Sequence, residues 1–154
     1  MPNQEQPIAS NGAVHLYQYI FESLSDGVII NDAATGLVVD ANPAACELHG
    51  YPPAGLIGLH PIAYIHPDDA PQWGTWVLAA QAGNDFAGTV VHLRRDGSPF
   101  IVDVRGRAGV YEGRPCLIST IRDVSTRVQA ERQLRQQVVN HAREQTTLLE
   151  ISQA

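Results

Sequence analysis

The sequence predicts one α+β domain, in which a five-stranded antiparallel sheet carries short helices on one face. A helix precedes this domain, and a long helix follows it. Two short β-forming runs, followed later by three longer ones, predict the five strands, because turn residues within each group permit hairpins. The segment between the groups is rich in glycine and proline and permits only short helices. The last stretch of the chain contains neither residue and predicts the long helix.

Length and composition limit the classes of protein that the chain can belong to. Its 154 residues, 44% hydrophobic and 17% charged, suit one globular domain that folds without a metal or a disulfide. The net charge of −6 argues against nucleic acid as a partner. Two cysteines, Cys46 and Cys116, are too few for a disulfide framework. With no signal peptide and no apolar run that could span a bilayer, we expect a cytoplasmic protein without membrane contact.

The chain begins with a polar stretch, residues 1–12, which we expect to be flexible. A helix over residues 13–25 is predicted next, since apolar side chains recur at spacings of three and four residues and share one face. These side chains are Val14, Tyr17, Phe21 and Leu24.

The first two strands, residues 28–30 and 37–39, are predicted to form a hairpin around a turn of Asn, Asp and Gly. Asn42 and Pro43 then predict a helix N-cap and a proline at the first helical position. That helix is short, since Gly50 follows it and further glycines and prolines permit only helical turns.

A third helix is predicted over residues 70–82. The His66-Pro67-Asp68-Asp69 segment before it is typical of a helix start, because acidic side chains are stabilised near the positive end of the helix dipole. One face of this helix carries Trp73, Trp76, Val77 and Ala80.

The last three strands are predicted over residues 89–94, 100–107 and 116–122, with turns at Asp96-Gly97 and within residues 111–115. The long C-terminal helix should begin at Ser125, since Thr126 and Gln129 have the spacing of a capping box.

Seven short motifs in this order resemble the PAS sensor domains, and together they cover residues 25 to about 126. They are Ser25-Asp26-Gly27-Val28-Ile29, Val39-Asp40-Ala41-Asn42-Pro43-Ala44, Gly50-Tyr51, Gly58, Ile65-His66-Pro67-Asp68-Asp69, Arg95-Asp96-Gly97 and Arg122-Asp123-Val124-Ser125. The resemblance implies a PAS domain over residues 26–124, whose sheet curls around a small cavity, and a signalling helix over residues 125–154. Such a domain is a sensory and dimerisation module of a signalling protein, for example a sensor histidine kinase or a cyclic-dinucleotide enzyme.

The C-terminal segment Glu144-Gln145-Thr146-Thr147-Leu148-Leu149-Glu150-Ile151-Ser152 resembles the linker that often opens a GAF domain. This second resemblance implies that a downstream effector domain follows in the same parent chain.

The cofactor chemistry of two branches of the family is not supported by the residues. The stretch that would carry the flavin-binding cysteine is Gly58-Leu59-His60-Pro61-Ile62-Ala63, which has no cysteine. The predicted third helix has no histidine for a haem, although His92 could supply an axial nitrogen from a strand. The cofactor therefore remains unknown, with a small organic ligand as a candidate.

The residues also do not support a metal site or a phosphoacceptor histidine. His60, His66, Asp68 and Asp69 could suggest a metal, but helix capping by His66-Pro67-Asp68-Asp69 and a solvent-facing His60 explain them better. His141 is not followed by the proline of a kinase phosphoacceptor motif. We expect neither a metal site nor catalysis by this chain alone.

Strand alternation predicts which side chains point into the cavity. The candidate pocket residues are Ile65, Trp73, Trp76, Val90, His92, Phe100, Val102, Val104, Leu117, Ser119 and Ile121. The orientation of His92 depends on the next hairpin: a two-residue turn points it outward, whereas a three-residue turn that includes Arg95 places it opposite Phe100 and inside. The family's usual three-residue turn favours the inward histidine.

An inward His92 beside Ser119 would give an apolar pocket with two polar groups, which suits a small organic ligand. Trp73 and Trp76 could form its wall, although aromatic residues at helical spacing are commonly plain core. The alternative function is a ligand-free interaction and dimerisation module with a filled core.

The outgoing helix is the predicted output of the domain. Its apolar positions include Val128, Leu134, Val138 and Leu148, and the last three approach heptad spacing. We expect a homodimer through this helix and through Val14, Tyr17 and Phe21 of the first helix. Asp123 and Ser125 are predicted to couple the last strand to the helix.

Overall fold

The computed structural model describes residues 9–153 and has the predicted α+β architecture. Its elements are α1 (Ala9–Ser23), β1 (Gly27–Asp32), β2 (Val38–Ala41), α2 (Pro43–His49), α3 (Pro71–Gln81), β3 (Phe86–Leu93), β4 (Pro99–Tyr111), β5 (Arg114–Asp123) and α4 (Ser125–Ser152). Two short 3₁₀ turns, Pro61–Ala63 and Pro67–Asp69, lie between α2 and α3. The first helix begins earlier than predicted, and the predicted flexible stretch lies outside the described residues as far as residue 8.

The five strands form one antiparallel sheet in the order β2-β1-β5-β4-β3, which confirms the predicted fold class. The core lies between the inner face of this sheet and the layer formed by α2, the 3₁₀ turns and α3. Ile29, Val102, Leu117 and Ile121 are among its buried side chains. The segment around Ile65 also bonds to the free edge of β3, which protects that edge from pairing with another chain.

The hairpin between β3 and β4 has the three-residue loop. Arg94 N donates to Ser98 O over 2.9 Å, and Gly97 has a φ of +84°, which suits glycine. His92 therefore pairs with Phe100, and Val90 pairs with Val102, as the three-residue alternative requires.

The last two strands are longer than predicted, because β4 continues to Tyr111 and β5 begins at Arg114. Only Glu112 and Gly113 form the turn, and both have positive φ, as in a tight hairpin turn. The extension passes through Gly109, and glycine has little strand propensity. The pairing of Gly109 with Cys116 of β5 holds it in the strand.

The predicted cap of α2 is present. Asn42 is fully buried, and its Oδ1 accepts hydrogen bonds from Ala45 N at 3.0 Å and from Val28 N at 2.7 Å. One side chain therefore begins the helix and ties it to β1.

The capping box predicted for α4 is wrong. The helix begins at Ser125, so Thr126 already lies inside it, and the carboxylate of Asp123 accepts the Ser125 N–H over 2.9 Å. The spacing of Thr126 and Gln129 gave a wrong prediction, because the carboxylate of Asp123, earlier in the chain, takes the capping role.

Among the described residues, no helix is long and apolar enough to span a membrane.

Candidate binding site in the core and its link to the C-terminal helix

A small cavity lies in the core, against the inner face of the sheet. Its volume is about 10 Å³, which is the space of roughly one water molecule. The residues that line it are Ile29, Asn31, Tyr64, Ile65, Trp73, Trp76, His92, Val104, Ser119 and Ile121.

The candidate pocket residues divide into two groups. Those that line the cavity are Ile65, Trp73, Trp76, His92, Val104, Ser119 and Ile121. Val90, Phe100, Val102 and Leu117 are buried in the same core without lining the cavity. The sequence prediction missed Ile29, Asn31 and Tyr64, although Ile29 and Asn31 alternate along β1 and could have been placed by that pattern.

His92 forms a buried pair with His49, which the sequence prediction also missed. His49 Nε2 lies 2.9 Å from His92 Nδ1, and His49 Nδ1 lies 2.7 Å from Ala45 O. The exposed fractions of the two residues are 0% and 2%. The one local signal for His49 is its position one turn after Ala45, which places both on the same face of α2.

Burial lowers the pKa of both histidines, because the charged ring loses its hydration. The pKa of His49 falls to about 4, and that of His92 falls to about 3, where the neighbouring His49 lowers it further. Both rings are therefore neutral near pH 7.

Two polar nitrogen atoms of this site have no hydrogen-bond partner among the described residues. They are His92 Nε2 and Trp76 Nε1. Trp76 is 3% exposed, so neither atom is satisfied by bulk water. Unpartnered buried polar atoms are rare and costly, which makes the cavity the candidate binding site.

Asn31 and Tyr64 form a second polar group at the cavity. Asn31 Nδ2 donates to Gly36 O over 2.9 Å and to the Tyr64 hydroxyl oxygen over 3.1 Å. Burial raises the pKa of Tyr64, so its hydroxyl stays protonated.

The core is linked to the start of α4 through Arg94. Its guanidinium lies 4.4 Å from the ring centre of Phe100, and that ring packs edge-on against His49 and His92. On its other side, Arg94 lies 3.7 Å from the carboxylate of Asp123, which caps Ser125.

Ser125 provides a second connection between the sheet and α4. Its Oγ accepts a hydrogen bond from Ile101 N over 2.8 Å, and Ile101 lies in β4 next to Phe100. The helix start is thus joined to both β4 and β5. Beyond it, α4 has no buried residue: Val128 is half-buried, whereas Leu134, Val138 and Leu148 are exposed.

The histidines that could suggest a metal act as caps. His66 Nδ1 accepts a hydrogen bond from Asp68 N over 3.1 Å, and His60 Nδ1 accepts one from Ile62 N over 3.2 Å. His60 was expected to face solvent, but it is half-buried against Trp73. Over residues 9–153, no three potential ligands cluster as a metal site would require.

The outer face of the sheet carries a separate apolar cluster. Val28, Ile30 and Cys116 are buried there, and Phe21 of α1 packs against them. Beside this contact runs a groove of about 330 Å³, lined in part by Tyr17. The predicted interface residues Val14 and Tyr17 are exposed.

A larger groove, of about 590 Å³, lies beside β2 at the tip of the β4–β5 hairpin. Its carboxylates have structural partners: Asp32 accepts from Thr35 N, and Asp40 accepts from the Tyr111 hydroxyl over 2.6 Å. The groove is therefore formed by turn and strand contacts, and the core cavity remains the stronger candidate site.

Comparison with known proteins identifies the family of the chain. A family model described as the PAS fold matches residues 15–124. A search of curated proteins by sequence finds no match.

Solved structures of similar fold include the PAS domain of an HTR-like protein from Haloarcula marismortui, with 22% identity and a TM-score of 0.65, covering 75% of this chain and 94% of that one. A domain of a sensory box sensor histidine kinase/response regulator from Geobacter sulfurreducens has 21% identity and a TM-score of 0.61, covering 72% and 95%. An RNA-binding Light-Oxygen-Voltage receptor has 19% identity and a TM-score of 0.68, covering 94% of this chain and 42% of that one. At these identities the likeness concerns the fold.

Proposed function

The chain belongs to the PAS family, and we propose that it is a sensory and dimerisation module that relays the state of its core to α4. Similarity in fold to a domain of a sensor histidine kinase supports a place in signal transduction. The parent protein on this proposal is a sensor histidine kinase or a similar enzyme, and this segment has no catalytic activity of its own.

The series of contacts from the cavity to the helix carries the proposal. His92 lines the cavity and packs against Phe100, Phe100 lies under Arg94, and Arg94 faces Asp123 at the start of α4. A change in the core that moves Phe100 would therefore alter the Arg94–Asp123 contact. Because the helix start is held by only a few polar contacts, its two states can differ by a few kcal/mol, as a switch requires.

The input on this proposal is a small ligand in the core. Support comes from the unpartnered nitrogen atoms of His92 and Trp76, which an occupant could satisfy. The cavity of about 10 Å³ favours the alternative, a filled core that binds nothing and serves only dimerisation. An organic ligand would have to open the core. Native mass spectrometry of the purified protein distinguishes the two, since a bound molecule adds mass and a filled core does not.

The partner on this proposal is a second copy, bound through the flanking helices. A helix of 28 residues whose side chains are nearly all exposed gains little stability from its own domain. The exposed Leu134, Val138 and Leu148 form a stripe that a second α4 could cover. A downstream effector domain, of which a GAF domain is our candidate, would receive the signal.

Replacing Asp123 tests the relay. We expect Ser119→Val, a change in the core, to alter amide hydrogen exchange at the start of α4 when it is the only substitution in this chain. In an Asp123→Ala background the same core change should have at most a third of that effect, because the Arg94 contact is lost. Asp85→Ala is the control, since Asp85 pairs with Arg107 at 3.1 Å, away from α4. An undiminished response in the Asp123→Ala protein contradicts the relay.

A further inference from the structure

The chemistry of the cavity follows from a chain of hydrogen bonds that begins at Ala45. A backbone carbonyl oxygen only accepts hydrogen bonds, so His49 Nδ1, at 2.7 Å from Ala45 O, carries a proton. A neutral imidazole has one N–H, and burial keeps this ring neutral. His49 Nε2 is therefore an acceptor.

The second ring is fixed by the first. His92 Nδ1 lies 2.9 Å from His49 Nε2 and must donate to it, because two lone pairs at this distance would repel each other. The His92 ring is also neutral, so its remaining nitrogen, Nε2, has a lone pair and no proton. The opposite tautomer of His92 would force His49 to direct a lone pair at Ala45 O.

Of the cavity's fully buried side-chain atoms that have no hydrogen-bond partner among the described residues, one is therefore an acceptor and one is a donor. His92 Nε2 is the acceptor, and Trp76 Nε1–H, which can only donate, is the donor. Both residues are more than nine-tenths buried and line the same cavity.

We propose that the cavity recognises one neutral hydroxyl group, which donates to His92 Nε2 and accepts from Trp76 Nε1–H. This inference deepens the proposed ligand site and rests on it. A hydroxyl is the smallest group that both donates and accepts. Its source is either a buried water, which the present volume admits, or a small alcohol that enters an opened core.

A carbonyl, a carboxylate or an ammonium group leaves one of the two nitrogen atoms unsatisfied. A carbonyl or a carboxylate can accept from Trp76, but it places a lone pair against His92 Nε2. An ammonium group can donate to His92, but it leaves Trp76 without an acceptor and buries a charge. A ketone of the same size should therefore bind at least about tenfold more weakly than the alcohol, which is the usual effect of one mismatched buried hydrogen bond.

The first experiment is nitrogen NMR of the full chain at neutral pH, which distinguishes protonated from unprotonated ring nitrogens. We expect His92 to have a proton on Nδ1 and none on Nε2. A proton on His92 Nε2 overturns the proposal. The same sample reveals the source of the hydroxyl: magnetisation transfer from a long-lived water to Trp76 Nε1–H indicates water, whereas a shift of that signal with 2-propanol indicates an alcohol. The absence of both also overturns the proposal.

The second experiment enlarges the site with Ile121→Ala, which removes an apolar part of its lining. We expect 2-propanol to bind this variant at least tenfold more tightly than acetone, as measured by NMR titration, and we expect the preference to disappear when His92→Phe is added. Val102→Ala is the control, because it opens the core away from the lining and should show no preference. Equal binding of the two probes to Ile121→Ala contradicts the inference.

Val104→Ala opens the same lining and replaces Ile121→Ala if that variant does not fold. A failure of the relay would be seen differently, as an unchanged response of α4 in the Asp123→Ala protein. The hydroxyl preference and the relay can therefore fail separately.

Discussion

At the scale of single residues, the most consequential feature is the buried histidine pair. Neither His49 nor His92 hydrogen-bonds to a charged group, and both are neutral in the folded protein, where burial and, for His49, the positive charge of Arg94 lower the pKa. The pair determines where the protons of the site lie, since the tautomer of His49 fixes the tautomer of His92. The cost of burying them is acid sensitivity.

We expect the protein to lose stability as the pH falls below about 6.5. Both histidines have a lower pKa in the folded state, about 4 and about 3, so the unfolded chain binds more protons in this range. Above pH 6.5 both histidines are mostly neutral in the unfolded chain as well, so burying them carries little protonation cost. Below pH 6.5 the loss in the free energy of unfolding grows as the pH falls towards the folded pKa values of about 4 and about 3. At pH 5 each histidine should lower the free energy of unfolding by about 2 kcal/mol, measured by urea unfolding relative to pH 7.5.

The matched variants are His92→Phe and His15→Phe. Removing the buried ring should reduce the acid-dependent loss by about half, whereas replacing the exposed His15 of α1 should leave the loss unchanged. If His92→Phe and the unsubstituted protein lost stability equally with falling pH, the lowered pKa of His92 would be contradicted.

At the scale of elements, β4 is positioned by close contacts at its glycines. A Cβ at Gly106 would overlap the ring of Phe86 in β3 and would lie 2.7 Å from the carbonyl oxygen of Ile118 in β5. Phe86 in turn stacks on Trp76 of α3, with ring centres 5.5 Å apart. The small residue thus allows α3 and the sheet to approach each other next to the cavity.

Gly106→Ala should therefore destabilise the protein, by about 1–3 kcal/mol in the free energy of unfolding, because the rings and the neighbouring strand must move. Gly74→Ala is the matched control. Gly74 lies within α3 with nothing near its Cβ position, so the same change should stabilise the protein by up to about 1 kcal/mol. Urea unfolding measures both, and a neutral Gly106→Ala would show that the strand is not held as closely as described.

At the scale of the whole molecule, two apolar features extend beyond the domain: the stripe along α4 and the face of α1 beside the outer side of the sheet. They flank the domain at its two chain ends. A second copy that covers both would bring the two α4 helices side by side. Within α4, His141 and Gln145 hydrogen-bond to each other at 3.1 Å and interrupt the apolar stripe, which would keep such a pairing weak.

Sedimentation equilibrium should show a dimer with twice the monomer mass. Leu134→Lys should raise its dissociation constant by about 100-fold, because both copies lose a buried leucine. Gln136→Lys adds the same charge two residues away, outside the stripe, and should change the constant less than threefold. A dimer equally insensitive to both changes would show that α4 does not form the interface.

Much of the fold could be predicted from the sequence because its signals are local. Asn42-Pro43 begins α2, and the long segment without glycine or proline forms α4. The end of β4 and the residue that caps α4 were harder to predict from the sequence. Gly109 remains in a strand because β5 pairs with it, and Asp123 rather than Thr126 caps the helix. In both places a neighbouring segment overrides the local preference.

The sequence by itself determined the five strands, the helices around them and the family, since periodicity and turn chemistry act over a few residues. Only the tertiary structure decided that His92 meets His49, which lies 43 positions away, and that the cavity is as small as it is. One residue in the loop after β3 determines which face His92 takes. The volume of the cavity depends on how side chains from the five strands, α2, α3 and the segment between these helices fill a common space. No local sequence pattern specifies how well they fill it.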